Sequence, residues 1–319
     1  MKIVFLTRRA SPQIGGVERH IQKLNEELRV KNYNVKIISE KDIKYPHIKF
    51  IGLLYIWFWL FKNRKLILDS DIVHVHDVFI WYLPFKFLYP KKKVFLTIHG
   101  LEWRNPFNAF SLLQKRIAVK LFNGSIGVGK FLEKYIGTKF DYIIYGGLEK
   151  HSQSTVHRSP NTFLFVGRLE PDTGLGEFLK LLGSSSLVHG TKVDFVGDGS
   201  LRKECERFGT VHGFCDPTPF YKKAETVVPS GYLTYLEAKS YSSIQENLAE
   251  SCEDELNTDM SSSLTGNLAF KMRGGCHGCK IKTFYSTQLK KEYWEEILKL
   301  KKYNTWKDIS NVYLKLWNE

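Results

Sequence analysis

Cysteine is scarce, with five residues in a chain of 319, and the number is odd. That excludes a disulfide framework and points to a reducing compartment, with the cytoplasm as the expected location. Long apolar runs are missing too. The longest, FIGLLYIWFWLF over 50–61, has twelve residues. As a helix it spans about 18 Å against a hydrocarbon core of ~30 Å, so no transmembrane span is expected. At the N-terminus Ile3-Val4-Phe5-Leu6 is too short for the apolar part of a secretory signal. Acidic residues are in deficit, 33 against 47 Lys and Arg, which leaves a net charge of +14. Such a chain suits an anionic partner: nucleic acid, a phosphorylated small molecule or a membrane surface. Core-forming residues are not lacking. Hydrophobic residues make up 43% and charged ones 25%, which excludes disorder as the main state, and the length suits about two domains.

Strand and helix patterns alternate. KIVFLT (2–7) is a buried-strand run, and VERHIQKLNEELRVKN (17–32) places Val17, Ile21, Leu24 and Leu28 at helical spacing. YNVKIIS (33–39), DIVHVHD (71–77), KVFLTIHG (93–100), SIGVGK (125–130) and DYIIYGG (141–147) read as further strands. The polar stretch EKHSQSTVHRSPN (149–161) reads as a linker, after which the alternation restarts. TFLFVGRLE (162–170), KVDFVGDGS (192–200), TVHGF (210–214) and AETVVPS (224–230) are strands. GLGEFLKLLG (174–183) and SLRKECERFG (200–209) are helices, and two amphipathic helices end the chain. The expected fold class is α/β, with doubly wound parallel sheets built from right-handed βαβ units.

Several motifs invite chemistry. Gly15-Gly16 opens a helix and could bring backbone N–H groups to a phosphate, though a tight turn explains the pair equally well. VGDGS (196–200) lacks the third glycine of the dinucleotide fingerprint, and Arg202 stands in its place, so no nicotinamide cofactor is expected. His99 ends a strand, where ligands of open parallel sheets bind. His76 and Asp77 also end a strand and could reach that edge; His74, deeper in the strand, reads as a buried, hydrogen-bonded residue. Cys276-His277-Gly278-Cys279 is a C-x-x-C without a second pair, so it reads as incidental rather than as structural zinc. The aromatic runs 55–61 and 79–90, flanked by Lys62, Arg64, Lys65 and Lys91–Lys93, suit a peripheral membrane patch. Bases interleaved with aromatics, as nucleic-acid binding wants, are not found, and no nucleic-acid partner is expected.

Taken in order, four pieces resemble the family-4 glycosyltransferases of the GT-B fold. They are GGVERHI (15–21), DIVHVHD with LTIHGLEW (96–103), FLFVGRLEPDTG (163–174) and VVPSGYLTYLEA (227–238). YNTWKDISNVYLKLW (303–317) is similar to the family's last helix. The resemblance covers 1–238 and resumes at 291–319. It implies two Rossmann-like doubly wound parallel-sheet domains facing across a cleft. The first would be an acceptor-side domain over 1–150, on which a helix over 304–319 packs back. The second would be a nucleotide-sugar domain over 158–303. It also implies retaining transfer of a sugar from a nucleotide-diphosphate donor to a glycan or lipid-linked acceptor, with no bound metal and no separate cofactor. The setting would be the cytoplasm, at the face of a membrane.

In that scheme Arg168 contacts the donor diphosphate and Glu237 the ribose. Gly15 and Gly16 lie against phosphate and sugar. His99 faces the sugar near the anomeric carbon, and Gly213 and Phe214 lie near the base. Thr173 stands where the family has a lysine, and Pro229 where it has a second glutamate. The alternative is therefore a GT-B-like protein that binds sugar or nucleotide with impaired catalysis.

Residues 239–288 break the pattern. They hold Cys252, Cys276 and Cys279 and show no clean apolar strand where a covered sheet needs one. Loss of pattern with recovery near Lys291 is what two compensating frame shifts produce. A lineage-specific subdomain, held by metal through Cys276 and Cys279, is the alternative. Resequencing the coding DNA distinguishes them: two shifts flanking the segment are expected. An intact frame with a protease-resistant core over 239–288 contradicts the frame-shift reading.

Overall fold

Apolar runs become the strands of two separate parallel sheets. The computed structural model describes residues 1–10, 15–100, 109–148, 158–183, 191–241, 270–271, 280–283, 296–300 and 303–319. The chain divides into two compact units, Met1–Gly147 with Glu296–Glu319, and Leu148–Glu295.

The first unit runs β1 (Lys2–Thr7), α1 (Gly16–Val30), β2 (Asn34–Ile38), α2 (Glu40–Ile43), α3 (Lys49–Lys62), α4 (Lys65–Leu68) and β3 (Ile72–His76). It continues with α5 (Phe79–Leu88), β4 (Lys93–Ile98), α6 (Ala109–Leu121), β5 (Gly124–Val128), α7 (Phe131–Ile136) and β6 (Tyr142–Ile144). All its strands are parallel, in the order β2-β1-β3-β4-β5-β6. β3 is buried along its whole length and β4 after its first residue, as expected for strands covered on both faces. β1 lies between β2 and β3, so the connections to its two sides run in opposite directions. Right-handed crossovers then put α1 on one face and α3, α5, α6 and α7 on the other. α12 (Trp306–Asn318) returns to this unit and packs against α1, β5 and β6. Its buried stripe is Trp306, Ile309, Tyr313, Leu316 and Trp317. Thr305 caps it: its side chain accepts from Asp308 N, and the Asp308 carboxylate accepts from Thr305 N.

The second unit runs β7 (Ser159–Val166), a 3-10 turn (Pro171–Thr173), α8 (Leu175–Gly183), β8 (Lys192–Val196), α9 (Arg202–Cys205) and β9 (Thr210–Gly213). α10 (Thr218–Lys223), β10 (Ala224–Pro229), α11 (Tyr232–Tyr241), β11 (Phe270–Lys271) and β12 (Lys280–Thr283) follow. The sheet order is β11-β12-β10-β7-β8-β9, parallel except for β11. Phe163, Phe165, Phe178 and Phe195 build its core with Leu169, Leu175 and Val228. Cys205 is buried in that core, and burial pushes its thiol up to about 12, so it is an unreactive packing residue.

Three expectations need adjustment. The end of the 149–161 stretch belongs to β7, whose Ser159 pairs with Ala224. α9 is one turn, not the ten residues of 200–209, because the chain already turns back to start β9. The 239–288 segment contributes a strand after all: β12 pairs in parallel with β10, Thr226 opposite Lys280 and Val227 opposite Ile281. KIKT is too short and too basic to have shown as an apolar run. Most of that segment, with Cys252, Cys276 and Cys279, lies outside the described residues, as do residues 290–295 and 301–302 of the expected penultimate helix.

Close approach at the strand ends of the second sheet demands glycine. Gly197 has φ +147, and a Cβ there would stand 1.8 Å from Gly167 O. Gly197→Ala is therefore expected to cost about 1–3 kcal/mol in urea unfolding. Gly176→Ala, in α8 with nothing within 4 Å of the added carbon, should instead stabilise by about 0.5–1 kcal/mol. Equal effects would contradict the close approach of the two strand ends.

Candidate active site

β4 delivers His99. The strand is buried from Val94 to Ile98 and stops there, which places the next residue at the carboxyl edge of the sheet. Asp77, directly after β3, pins it. Asp77 takes a left-handed conformation, φ +61, which aspartate tolerates better than most residues. Its backbone N donates to Thr97 O at 3.0 Å, and its Oδ1 accepts from His99 N at 2.9 Å. The His99 ring is half-buried. Its Nε2 lies 3.0 Å from His76 Nδ1, and His20 meets it edge-on with ring centroids 4.8 Å apart.

A chain of buried polar groups lies beneath. Trp317 Nε1 donates to His74 Nδ1 at 3.0 Å. An indole N–H can only donate, so His74 Nδ1 accepts and its Nε2 carries the proton. His74 Nε2 then donates to Thr97 Oγ1 at 2.7 Å, Thr97 Oγ1 is hydrogen-bonded to Tyr313 Oη at 2.9 Å, and Tyr313 Oη to His20 Nε2 at 3.1 Å. His74 is thereby the neutral Nε2–H tautomer. Burial drives all four imidazoles below the ordinary histidine range, and mutual repulsion adds to it at His20, His74 and His76. For His99 burial alone takes the value to about 3. Among the described residues His76 Nε2 has no partner. Burial also raises Asp77 to about 6, against the opposing hydrogen bond from His99 N and the charge of Lys115.

Gly15 and Gly16 start α1; residues 11–14 before them lie outside the described residues. Glu18 is buried in the first turn, and a Cβ on Gly15 would stand 2.3 Å from its Oε2. A carboxylate thus already occupies the positive end of this helix, beside the pair expected to meet phosphate.

The remaining expected residues belong to the second unit. Arg168 follows β7 through Gly167, is half exposed, and holds Asp172 at 2.8 Å. Thr173 closes the same turn but is buried, its hydroxyl donating to Glu170 O at 2.6 Å. Gly213 ends β9 at φ +69 with its carbonyl accepting from Gly197 N at 2.8 Å, and Phe214 beyond it is 54% exposed. Pro229 ends β10. Glu237 lies on α11, half-buried, with Oε2 accepting from Tyr221 Oη at 3.3 Å. Arg168, Gly213 and Phe214 all stand at carboxyl ends of parallel strands. The structure groups His99 with His76, His20 and Asp77, Arg168 with Thr173 and Asp172, and Glu237 with Tyr221. Of these groups His20, Thr97, Tyr313 and Trp317 were not anticipated. His20 had a legible signal, since it shares an i, i+4, i+8 stripe with Leu24 and Leu28, which are both buried. Among the described residues no cluster of three or more His, Cys, Asp or Glu could hold a metal ion.

Two parallel-sheet units of this kind define the GT-B class of glycosyltransferase folds. The chain is similar in fold to the lipopolysaccharide outer core galactosyltransferase WaaB in its apo form. That match has a TM-score of 0.53 and 16% identity over 76% of this chain and 78% of that one. It is similar also to WaaG, a glycosyltransferase involved in lipopolysaccharide biosynthesis, at 0.54 and 12% over 75% and 79%. A third likeness is to an alpha-glucosyltransferase in complex with UDP and a 13-mer DNA containing a HMU base, at 0.52 and 12% over 76% and 78%. Residues 14–144, within the first unit, match the family model Glycosyltransferase Family 4. No curated protein matches the chain.

The buried imidazoles make folding sensitive to acid. Each is neutral in the fold but takes up a proton near pH 6.5 when unfolded, so its stabilisation is complete above that pH and is lost as pH falls towards its lowered folded value, about 3 for His99. Asp77 acts oppositely: its folded value near 6 favours the fold as pH drops from 6 towards its unfolded value. Four groups against one leave a net loss. Thermal melts from pH 8 to 5 should show a falling midpoint, with each titrating histidine adding up to about 1.4 kcal/mol per pH unit. A midpoint that stays flat or rises over that range would contradict the neutral cluster.

Proposed function

We propose that the protein is a retaining glycosyltransferase that moves a sugar from a nucleotide-diphosphate donor to a glycan or lipid-linked acceptor. It would act in the cytoplasm, in peripheral contact with a membrane face. The observation that carries this reading is the match of residues 14–144 to Glycosyltransferase Family 4, on the same unit that holds His99 at a strand end.

Each residue then has a physical task. Departure of a nucleoside diphosphate leaves negative charge on the phosphate and positive charge on the sugar ring. Arg168 would swing from Asp172 to the diphosphate and stabilise the former through charge-assisted hydrogen bonds. His99, neutral at pH 7, can hydrogen-bond the sugar without repelling the latter; an imidazolium there would oppose it. His76 occupies His99 Nε2, which leaves Nδ1 for the ligand. Glu237, steadied by Tyr221, would accept from the ribose hydroxyls, and the exposed Phe214 would offer a face to the base. Gly15 and Gly16 would lie against donor phosphate and sugar, with Glu18 limiting how much charge they can take.

A second reading, binding with impaired catalysis, is favoured by one feature. Thr173 is buried with its hydroxyl engaged, so it does not replace the lysine expected at that position. The Arg168→Ala variant separates the two. Turnover of donor should fall by ~10²-fold or more, about 2.7–4 kcal/mol, with the fold intact. Unchanged turnover removes Arg168 from the site, and absence of turnover in the native protein that still binds donor supports the second reading. The proposed chemistry needs no bound metal, so EDTA should leave turnover unchanged; loss restored by a divalent cation would contradict that.

A further inference from the structure

Helix α3 is apolar on both sides. Gly52, Ile56 and Leu60 form its buried stripe. Opposite them Phe50 (81% exposed), Leu54 (60%), Phe58 (65%) and Phe61 (48%) form a second stripe that faces solvent. Between Phe50 and Phe61 there is no charged residue. A helix on the surface of a water-soluble unit normally turns charged residues outward. On the same face of the sheet, α5 exposes Phe87 and Leu88, and α6 exposes Leu113 and Ile117 one turn apart. α3 and α5 touch, and the right-handed connections set α3, α5 and α6 side by side in one layer. Exposed apolar surface on this scale marks an interaction site.

Charge identifies the partner. The first unit holds 30 Lys and Arg against 14 Asp and Glu, a net +16, while Leu148–Glu295 holds 17 against 19, a net −2. All the excess positive charge therefore sits on the unit with the apolar face. Lys62, Arg64 and Lys65 follow the stripe directly and are exposed, and the Arg64 guanidinium lies 5.1 Å from the Phe61 ring centre. A cation beside an aromatic at the rim of an apolar stripe suits the boundary between headgroups and acyl chains. A second copy of the chain is a poor occupant, because it would bring another unit of +16 to the same face. Among the described residues no helix is long and apolar enough to cross a membrane, so α3 would lie in the membrane plane.

We infer that the outer face of α3, α5 and α6 is a docking surface for an anionic phospholipid bilayer, with Phe50, Leu54 and Phe58 inserted below the headgroups and Lys62, Arg64 and Lys65 held at them. This names the surface for the membrane contact proposed above. It rests on the proposed transfer reaction only in making a lipid-linked acceptor the natural substrate; docking is read by partition and needs no turnover.

The test is flotation of the full chain with vesicles of phosphatidylcholine alone and of phosphatidylcholine with phosphatidylglycerol, at low and high salt. Binding to the anionic vesicles, weakened by salt, is expected. Each of Lys62→Glu, Arg64→Glu and Lys65→Glu should lower partition about fivefold or more, the equivalent of ~1 kcal/mol per basic residue. A combined Phe50→Ser, Leu54→Ser and Phe58→Ser variant should lose partition by ~10-fold or more while keeping its melting temperature and donor turnover, since these side chains are already in water. No binding of the native chain, equal binding to both vesicle types, or native partition by the serine variant overturns the proposal. A native dimer in light scattering that the serine variant converts to monomer assigns the face to a second copy instead.

Discussion

The run of hydrogen bonds from Trp317 through His74, Thr97 and Tyr313 to His20 constrains the first unit more than any other feature. Every member is buried, and a buried polar group without a partner costs about 1–3 kcal/mol. The run therefore has to be complete, and completing it needs β3, β4, α1 and α12 at once. That requirement makes the last helix part of the first sheet's structure rather than an appendage. It also fixes the His74 tautomer beneath the strand end that carries His99. The same burial keeps the four imidazoles neutral, the protonation state that the proposed transfer calls for at His99.

The second unit solves a different problem, bringing several strand ends close together. Glycine lets these ends approach closely: a side chain at Gly197 would strike the Gly167 backbone, and one at Gly167 would strike the Ser230 side chain after β10. Arg168, Gly213 and the start of α11 then stand at the carboxyl ends of β7, β9 and β10 of a single sheet. Here the charged side chains are solvated and paired, as Arg168 is with Asp172. They can exchange partners when an anion arrives, which buried groups cannot do. The candidate residues of the two units differ in electrostatics: buried and neutral imidazoles in the first, an exposed ion pair in the second.

Much of this was legible in the sequence, for a physical reason. Strands of a parallel sheet are covered on both faces, so they show as apolar runs, and IVHVH or TFLFV could hardly be anything else. His99, Arg168 and Glu237 could be singled out because the residue just past such a run, or within a family motif, has a defined place. Other features were not legible. The hydrogen-bond run joins residues more than two hundred positions apart, as with Thr97 and Tyr313, and no local pattern records that. Thr173 gives no sign in sequence that its hydroxyl turns inward to Glu170 O. β12 is four residues of alternating Lys with Ile and Thr, too short for periodicity to register. The outward stripe of α3 was visible as an aromatic run, but which of its residues face water depended on how the helix sits on the sheet.

The central claim is that sugar is transferred from a nucleotide-activated donor with retention at the anomeric carbon. The most direct measurement incubates the native protein with a panel of nucleotide sugars and glycan or lipid-linked acceptors. Released nucleoside diphosphate is followed by mass spectrometry, and the product's anomeric configuration is read by NMR. The account predicts nucleoside diphosphate release with at least one donor and a product of the donor's own anomeric configuration. An inverted product, or a folded protein that neither binds nor turns over any donor of the panel, would contradict it.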